Sequence, residues 1–294
     1  MFIIKHRIWF FLLSVLVVAS ALGALFVYGL HLSTEFTGGS LVEVTYAERP
    51  APDTVSAALD EAGFEGYSVR QAGEHGYIVR SASLSADERA GLPALLAPGS
   101  ITQVTDIGPT IGAELRRKAV WAVGLVLLCI LLFIAFAFRK VSQPISSWVY
   151  GAAAIVALVH NVIITTGFFA LLGHIAGAEL DSLFVTAILT VLGFSVHDTI
   201  VVFDRVRENL YRNHERGRKE PFADVAGRSL AQTFTRSVNT SFTVLVTLAV
   251  LYVVGPASTK FFSLTLLVGI VAGTYSSIFL ATPLLVSYDH WKHR

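Results

Sequence analysis

Charged residues are scarce in this chain, and cysteine is almost absent. Only 15% of the 294 residues are Asp, Glu, Lys or Arg, and the formal net charge is +1. Soluble globular domains carry about 25% charged residues, so the composition argues against that class. The nearly balanced charge gives no reason to expect nucleic acid as a partner. The single cysteine, Cys129, excludes an internal disulfide.

Signatures of catalysis are missing as well. The sequence has no GxSxG nucleophile elbow, no histidines at zinc-ligand spacing and no paired acids in its apolar stretches. An enzyme would need a nucleophile and a base within mutual reach. We therefore expect no enzymatic activity, no cofactor and no bound metal.

The chain instead has long hydrophobic segments. Hydrophobic residues make up 54% of it, and the mean hydropathy is +0.64. Crossing a bilayer takes roughly 20 apolar residues. Five windows of at least about that length contain no Asp, Glu, Lys or Arg: 8–34, 119–138, 141–178, 237–259 and 261–288. A sixth apolar segment, 183–202, is interrupted by the acid Asp198.

The sequence therefore predicts a membrane protein with six transmembrane α-helices. The first lies within 1–32, and the other five lie within 115–294, at about 119–138, 145–172, 182–203, 235–255 and 261–288. The basic residues that flank these segments all fall on one side if the helices alternate: Lys5, Arg7, Arg139, Lys140, seven between Arg205 and Arg228, Lys292 and Arg294. The positive-inside rule places that side, and both termini, in the cytoplasm.

Residues 33–114 form the one sizeable extramembrane domain that the pattern predicts. Alternating segments at 41–46, 67–71, 77–81 and 101–107 indicate strands, and 53–62 and 85–96 indicate helices, the second opened by a capping box of Ser85 and Glu88. The order βαββαβ is that of a ferredoxin-like fold. This domain lies between the first two membrane helices, on the extracytoplasmic side. We interpret it as a binding or mechanical module.

An amphipathic segment lies in the cytoplasmic connection before the fifth membrane helix. Apolar and small residues between 221 and 234 follow helical spacing, with Asp224, Arg228 and Gln232 on other faces. The pattern predicts a loop helix at the membrane surface, contacting lipid headgroups.

Asp198 is the clearest candidate for function. A lone carboxylate at the centre of a membrane helix costs about 2.5 to 3.5 kcal/mol, so such an acid normally faces a bundle interior and marks an ion or substrate route. On the fifth predicted helix a polar stripe runs along one face, formed by Gln232, Arg236, Thr240, Thr243 and Thr247. If the fourth and fifth helices pack antiparallel, Asp198 and Arg236 lie at similar depths. Making and breaking that pair would load and release a proton.

Other polar residues of the spans are weaker candidates. His197, which adjoins Asp198 on another helix face, and His160 and Asn161 in the third helix could extend the proton relay. Otherwise they are interhelical hydrogen-bond partners. Asp204 is expected to reach cytoplasmic water. The sixth helix carries a seam of small residues at Gly269, Gly273, Ser277 and Ala281, to which we assign close packing and no chemistry.

Four segments together resemble the SecF branch of the SecD/SecF family, in the resistance-nodulation-division superfamily. They are EFTGGS at 35–40, DIGPTIG at 106–112, GFSVHDTIVVFDRVREN at 193–209 and SLAQTFTRSVNTS at 229–241. The resemblance covers nearly the whole chain. It marks Glu35, Phe36, Gly38, Gly39, Gly108 and Pro109 as signature residues, and it matches Asp198 and Arg236 to the family's membrane acid and its arginine partner, followed by Thr240 and Ser241.

The resemblance implies a subunit of the bacterial Sec protein translocase in the cytoplasmic membrane. Such a subunit pairs with SecD, works with the SecYEG channel and the SecA motor, and uses the proton motive force to complete export of unfolded preproteins. The expected coupling ion is the proton, with sodium as the alternative. Glu114, Arg116 and Arg117, which join the domain to the second helix, are the expected site of mechanical coupling.

The chain departs from the family pattern at three places. Glu35 stands where Asp is usual, Asn161 stands where the third helix usually has Asp, and His197 stands where the fourth usually has Asn. One intramembrane carboxylate is thus lost and one imidazole gained. The alternative function is half of a small-molecule or lipid exporter of the same superfamily, although such transporters usually carry two related halves in one chain.

Overall fold

The computed structural model describes residues 2–64, 66–138 and 145–292. The helices are α1 Phe2–Lys5, α2 Arg7–Tyr28, α3 Thr34–Thr37, α4 Pro52–Glu61, α5 Ala86–Leu95, α6 Pro109–Ala137, α7 Ser147–Ala176, α8 Ser182–Glu215, α9 Phe222–Val254, α10 Lys260–Ser276 and α11 Thr282–Lys292. A π-helical turn, Ser277–Ala281, joins α10 to α11 without a break. The strands are β1 Gly39–Thr45, β2 Ser68–Ala72, β3 Gly76–Ser81 and β4 Ser100–Ile107.

Six helices among the described residues are long and apolar enough to cross a membrane: α2, α6, α7, α8, α9 and the continuous α10 to α11. The centre of the bundle is formed by α7, α8 and α10, which contact one another, while α2 and α6 pack on α7 and α9 packs on α8 and α10. The outer faces of α2, α6 and α9 expose large apolar side chains such as Phe26, Trp121 and Val253. Such faces belong against lipid or a partner helix.

The observed helices run further than the predicted spans. α6 begins at Pro109, inside the predicted domain, because Gly108 and Pro109 supply an N-cap position and a proline in the first turn. α8 continues twelve residues past the predicted end at 203, to Glu215. The basic residues Arg139, Lys140 and Arg294 of the orientation argument lie outside the described residues.

The prediction of a separate surface helix at 221–234 is wrong. Residues 222–254 form one helix, because no glycine or proline interrupts the sequence between Arg228 and Val254. The apolar face of its first turns does not lie on a membrane surface. Phe222, Ala226 and Leu230 are buried against Val206 and Val202 of α8, in a core that extends the bundle at the end opposite the domain.

The domain has the predicted order βαββαβ. Its sheet has the strand order β2-β3-β1-β4, with every neighbouring pair antiparallel, which is consistent with a ferredoxin-like fold. The predicted capping box is present, because Ser85 Oγ accepts from Glu88 N and Glu88 accepts from Ser85 N. α4 and α5 cover one face through Val55, Leu59 and Leu92, which are buried.

Candidate functional site in the membrane bundle

Asp198 lies at the meeting point of three membrane helices. Its side chain projects from α8 into the bundle and is 7% exposed. Ser237 Oγ of α9 donates to Asp198 Oδ1 at 2.5 Å, and Ser277 Oγ donates to Asp198 Oδ2 at 2.5 Å. Each carboxylate oxygen therefore has one hydroxyl donor, and each donor belongs to a different helix.

The position of Ser277 depends on how closely α10 approaches α8. A Cβ atom added at Gly273 would lie 2.1 Å from Ser195 Oγ, and one added at Gly269 would lie 2.2 Å from Val191 Cγ2. These glycines therefore permit the close contact that the small-residue seam predicts. The π turn begins at Ser277, where Ser277 Oγ also lies 3.2 Å from the Thr274 carbonyl. Single π turns occur frequently at functional sites.

Arg236 is not paired with Asp198 in this structure. It is exposed and lines an open polar pocket of about 220 Å³ with Asp204, Arg205, Glu208 and Gln232. Successive residues on a helix point about 100° apart, so Ser237 is directed at Asp198 while Arg236 points to the side, into the pocket that it shares with Asp204 and Glu208 of α8. Among the described residues, no acid lies within ion-pair distance of Arg236. The expected pairing is thus replaced by two serine hydroxyls.

Most of the other predicted residues lie outside the immediate surroundings of Asp198. His197, Thr240 and Thr243 are exposed on the outer faces of α8 and α9. Thr243 Oγ1 bonds to the Asn239 carbonyl of its own helix, at 2.9 Å. Asp204 is exposed and pairs with Arg207 at 2.6 Å.

Ser241, His160 and Asn161 are buried. Ser241 Oγ lies 2.5 Å from Thr274 Oγ1, and this contact joins α9 to α10 one turn away from Ser237. His160 Nδ1 lies 3.0 Å from Asn161 Oδ1. Five buried polar atoms of the bundle have no hydrogen-bond partner among the described residues: Tyr150 Oη, His160 Nε2, Asn161 Nδ2, Ser195 Oγ and Thr282 Oγ1.

The arrangement leaves the charge of Asp198 without a compensating cation. Hydroxyl donors reduce the cost of a buried carboxylate, but no Lys, Arg or His among the described residues forms an ion pair with it. An acid in this position can be neutralised by taking up a proton or by a cation that reaches it.

The signature segments at the two ends of the domain are in contact. Gly38 and Gly39 have φ angles of 80° and 133°, which favour glycine, and a Cβ at Gly38 would lie 2.7 Å from Pro109 Cα. A Cβ at Gly112 would lie 2.8 Å from Gly38 N. Phe36 is buried at this joint, and Glu35 Oε2 accepts from Ser182 N at 2.8 Å. The joint connects the entrance of the domain, its exit into α6 and the start of α8.

Sequence reasoning missed Ser237 and Ser277. Ser237 directly follows Arg236 in the sequence. Ser277 belongs to the small-residue seam for which the sequence predicts packing alone, and its bond to Asp198 adds a polar contact to that seam. The sequence did offer one signal. It was a hydroxyl group at a seam position of a helix that is expected to pack beside an intramembrane acid. Among the described residues, no group of three His, Cys, Asp or Glu side chains is placed to hold a metal ion.

Two family models match the chain. One, described as "Protein export membrane protein SecD/SecF, C-terminal", matches residues 96–291, and the other, described as "SecD/SecF GG Motif", matches residues 23–48. The second match contains Gly38 and Gly39, and the first contains Asp198, Ser237 and Ser277.

The similar proteins are named as protein translocase subunits. The chain is 42% identical to "Protein translocase subunit SecF" of Thermobaculum terrenum, over 98% of this chain and 94% of that protein. It is 35% identical to "Protein translocase subunit SecDF" of Thermus thermophilus, over 96% of this chain and 37% of that protein.

Two solved structures of SecDF match 99% of this chain, each at 33% identity and each over 38% of its own length. The crystal structure of SecDF from Thermus thermophilus matches with a TM-score of 0.85. The structure described as SecDF in a super-membrane-facing form matches with a TM-score of 0.66. The matched region therefore has different shapes in the two structures.

Proposed function

The chain belongs to the SecD/SecF family of protein export membrane proteins and is a subunit of the Sec protein translocase; we propose that it couples the proton motive force to polypeptide export through Asp198. The observation that carries the proposal is the burial of this acid between α8, α9 and the π turn, with both oxygens bonded to hydroxyls and no cationic side chain of the described ranges paired with it. The alternative, half of a small-molecule or lipid exporter, is disfavoured by the translocase names of the relatives.

Protonation of Asp198 changes what holds the three helices together. The charged form accepts strong hydrogen bonds from Ser237 and Ser277, and bonds to an ionised acceptor are about twice as strong as neutral ones. Protonation removes that charge-assisted attraction. It also removes the free-energy cost of burying the charge. Moving one elementary charge across the membrane potential supplies about 2.3 kcal/mol per 100 mV, enough to bias one such step.

A route for the proton is supported by the polar groups on both sides of Asp198. Toward the domain, Ser195 lies one turn earlier on α8 with a hydroxyl that has no partner among the described residues. Toward the opposite end, the pocket lined by Asp204, Gln232 and Arg236 opens within one to two turns of the acid. Both groups of side chains can exchange hydrogen bonds with water that carries a proton.

Pairing with SecD follows from relatives in which the chain matches only part of a longer protein. The SecDF proteins carry more than this chain's length, whereas the SecF proteins are matched almost end to end. The polar face of α9, with Arg236, Asn239 and Thr243, is exposed in the single chain. A polar stripe at this depth is poorly suited to lipid, so we assign it to the contact with SecD.

The membrane orientation of the proposal places the domain outside the cell. Arg7 Nη2 lies 2.9 Å from His290 Nδ1, so the two terminal helices meet at the end of the bundle opposite the domain. That end carries the basic residues of α8, which belong in the cytoplasm by the positive-inside rule. The domain then faces the side on which a preprotein emerges from SecYEG, after the ATP-driven action of SecA.

The proposal is tested with Asp198→Asn in membrane vesicles that contain SecYEG, SecA and SecD. We expect the variant to lose the stimulation of preprotein export by the proton motive force, because the amide cannot take up a proton, while the ATP-dependent part of export persists. Asp224→Asn is the matched control. This acid lies in the first turn of α9, is exposed and does not line the proposed route, so we expect nearly wild-type stimulation.

Wild-type stimulation in Asp198→Asn would refute the role of this acid. The coupling ion is identified in the same vesicles by replacing sodium with potassium at constant proton motive force. Unchanged export supports the proton, and export that requires sodium reassigns the ion while keeping Asp198 as its site.

A further inference from the structure

The extracytoplasmic domain is fastened to the loop between α7 and α8 by one buried acid. Glu179 of that loop lies between Arg70 of β2 and Arg80 of β3, and its side chain is 9% exposed. Arg70 Nη2 lies 2.8 Å from Glu179 Oε1, and Arg80 Nη1 contacts Glu179 Oε2. Each carboxylate oxygen thus receives one guanidinium, and the two guanidiniums come from neighbouring strands of the sheet.

Backbone hydrogen bonds hold the same loop to the start of the domain. Leu180 N donates to the His31 carbonyl at 2.7 Å, and Ser33 N donates to the Leu180 carbonyl at 2.9 Å. The next contact is the bond from Ser182 N to Glu35 Oε2. Residues 179–182 therefore contact both the sheet and the segment that leads from α2 into it.

The charges at this contact are desolvated as well as paired. Burial lowers the pKa of Arg80 to about 10 and also lowers the pKa of Arg70. Burial raises the pKa of Asp181, whose carboxylate caps α8 through a bond from Phe184 N at 2.8 Å. Removing one partner of a buried ion pair leaves the other charge uncompensated, which is far more costly than losing an exposed pair.

The loop continues directly into the helix that carries Asp198. α8 is unbroken from Ser182, so its outer end lies roughly 24 Å from Asp198 along one rigid element. By contrast, Glu114 on α6 pairs with Lys118 of the same helix, at 2.8 Å. Charged contacts from the domain therefore reach the helix that carries Asp198 through Glu179, whereas Glu114 is paired within α6. The coupling role expected of Glu114, Arg116 and Arg117 stays a prediction.

We propose that Glu179, held by Arg70 and Arg80, is the coupling residue that makes the domain follow α8 as one body when Asp198 gains or loses its charge. This inference rests on the proposed function. Glu179 is a positioning residue, because it acts on the proton site through α8 and contacts neither the ion nor the polypeptide.

Neutral variants of the ion pair test the inference in the vesicle export assay. We expect Glu179→Gln to reduce proton-motive-force stimulation by about tenfold or more, because it leaves two guanidiniums without their acid. Arg80→Gln should reduce it less, because Arg70 still pairs with Glu179. The double variant should lose no more than Glu179→Gln alone, since both changes remove one contact. Arg89→Gln is the matched control, because Arg89 pairs with Asp106 within the domain and does not reach the loop.

A cross-link supplies a second measurement if a neutral variant fails to accumulate. Arg80→Cys and Glu179→Cys are combined with Cys129→Ala, and the new thiols are joined by a short bifunctional maleimide. We expect the unlinked chain to be impaired and the linked chain to regain stimulation, because the proposed contact persists throughout the cycle. A linked chain that stays as impaired as the unlinked one, or loses more stimulation, would overturn the proposal, since the domain would then have to leave the loop.

Asp198→Asn in the same vesicles separates the two failures. If Asp198→Asn abolishes stimulation while Glu179→Gln leaves it at the wild-type level, the proposed function stands and the coupling role of Glu179 falls. If Asp198→Asn itself exports like the wild type, the proposed function fails, and the coupling role fails with it.

Discussion

Two adjacent serines midway along the last membrane helix, Ser276 and Ser277, are both fully buried yet have different partners. Ser277 Oγ donates to the Asp198 carboxylate, whereas Ser276 Oγ donates to the Gly273 carbonyl of its own helix at 3.0 Å. The two side chains have equal size and burial. They therefore separate a contribution to the acid from a contribution to packing.

Ser277→Ala should reduce proton-motive-force-stimulated export about tenfold. A hydrogen bond to a charged group contributes about 1.5 to 3 kcal/mol, and each 1.4 kcal/mol corresponds to about a tenfold change in rate. Ser276→Ala should stay within about twofold of the wild type, since its backbone acceptor lies within the same helix. Equal losses in the two variants, measured at matched membrane levels, would show that Ser277 acts only through packing.

Among the secondary-structure elements, the strands and helices of the domain agree with their sequence patterns to within one or two residues. Alternation of apolar side chains and local capping are enough for that, because both depend on near neighbours. The predicted break before the fifth membrane helix failed for a tertiary reason. Phe222 and Leu230 pack into the core beside α8, so the apolar face that suggested a membrane-surface helix belongs to an extension of the bundle.

The tight joint at the start of β1 has its own measurable consequence. Gly39 has a φ angle of 133°, and a Cβ there would lie 2.4 Å from the Ser81 carbonyl oxygen. Gly63 has a φ angle of 79° but faces open space. We expect Gly63→Ala to cost about 1 to 2 kcal/mol from backbone strain, and Gly39→Ala to cost about 1 to 3 kcal/mol more from the clash.

Thermal unfolding of the detergent-solubilised chain measures the difference. The midpoint should fall further for Gly39→Ala than for Gly63→Ala, because only the first substitution meets another backbone atom. Similar midpoints for the two variants would mean that β1 and β3 can separate at this point without cost.

In the molecule as a whole, α7, α8 and α10 are surrounded by other helices, while α9 keeps a polar face uncovered. A buried acid lies on one side of α9 and exposed polar groups lie on the other, so the proposal makes this helix the link between a proton site and a partner. The fused SecDF relatives support SecD as that partner, and we propose the exposed face as its contact.

Leucine substitutions on that face test the contact with SecD. We expect Asn239→Leu combined with Thr243→Leu to lower the amount of SecD that co-purifies with the chain, because the partner's polar groups lose their hydrogen-bond partners. Val246→Leu, on an exposed and already apolar position of the same helix, is the control and should keep the wild-type amount. Undiminished co-purification in the double variant would place the SecD contact on another face.

Hydropathy and charge placement were sufficient to predict six membrane helices, the place of the domain between the first two of them and the burial of Asp198 inside the bundle. These features depend on segment length and on the cost of a charge in an apolar stretch, both of which can be evaluated along the chain. The motif resemblance also led to the correct family, because its four segments are specific and correctly ordered.

Only the tertiary structure decided which side chains meet Asp198 and where the domain is fastened. Ser237, Ser277 and Asp198 are separated by 39 and 79 residues in sequence, and Glu179 meets arginines about a hundred residues earlier. Such contacts depend on how each helix is rotated and how closely it approaches its neighbours. The sequence period predicts which face of a helix is buried, but it does not determine which residue of that face meets the acid. A rotation of one residue is enough to exchange Arg236 for Ser237 beside the acid.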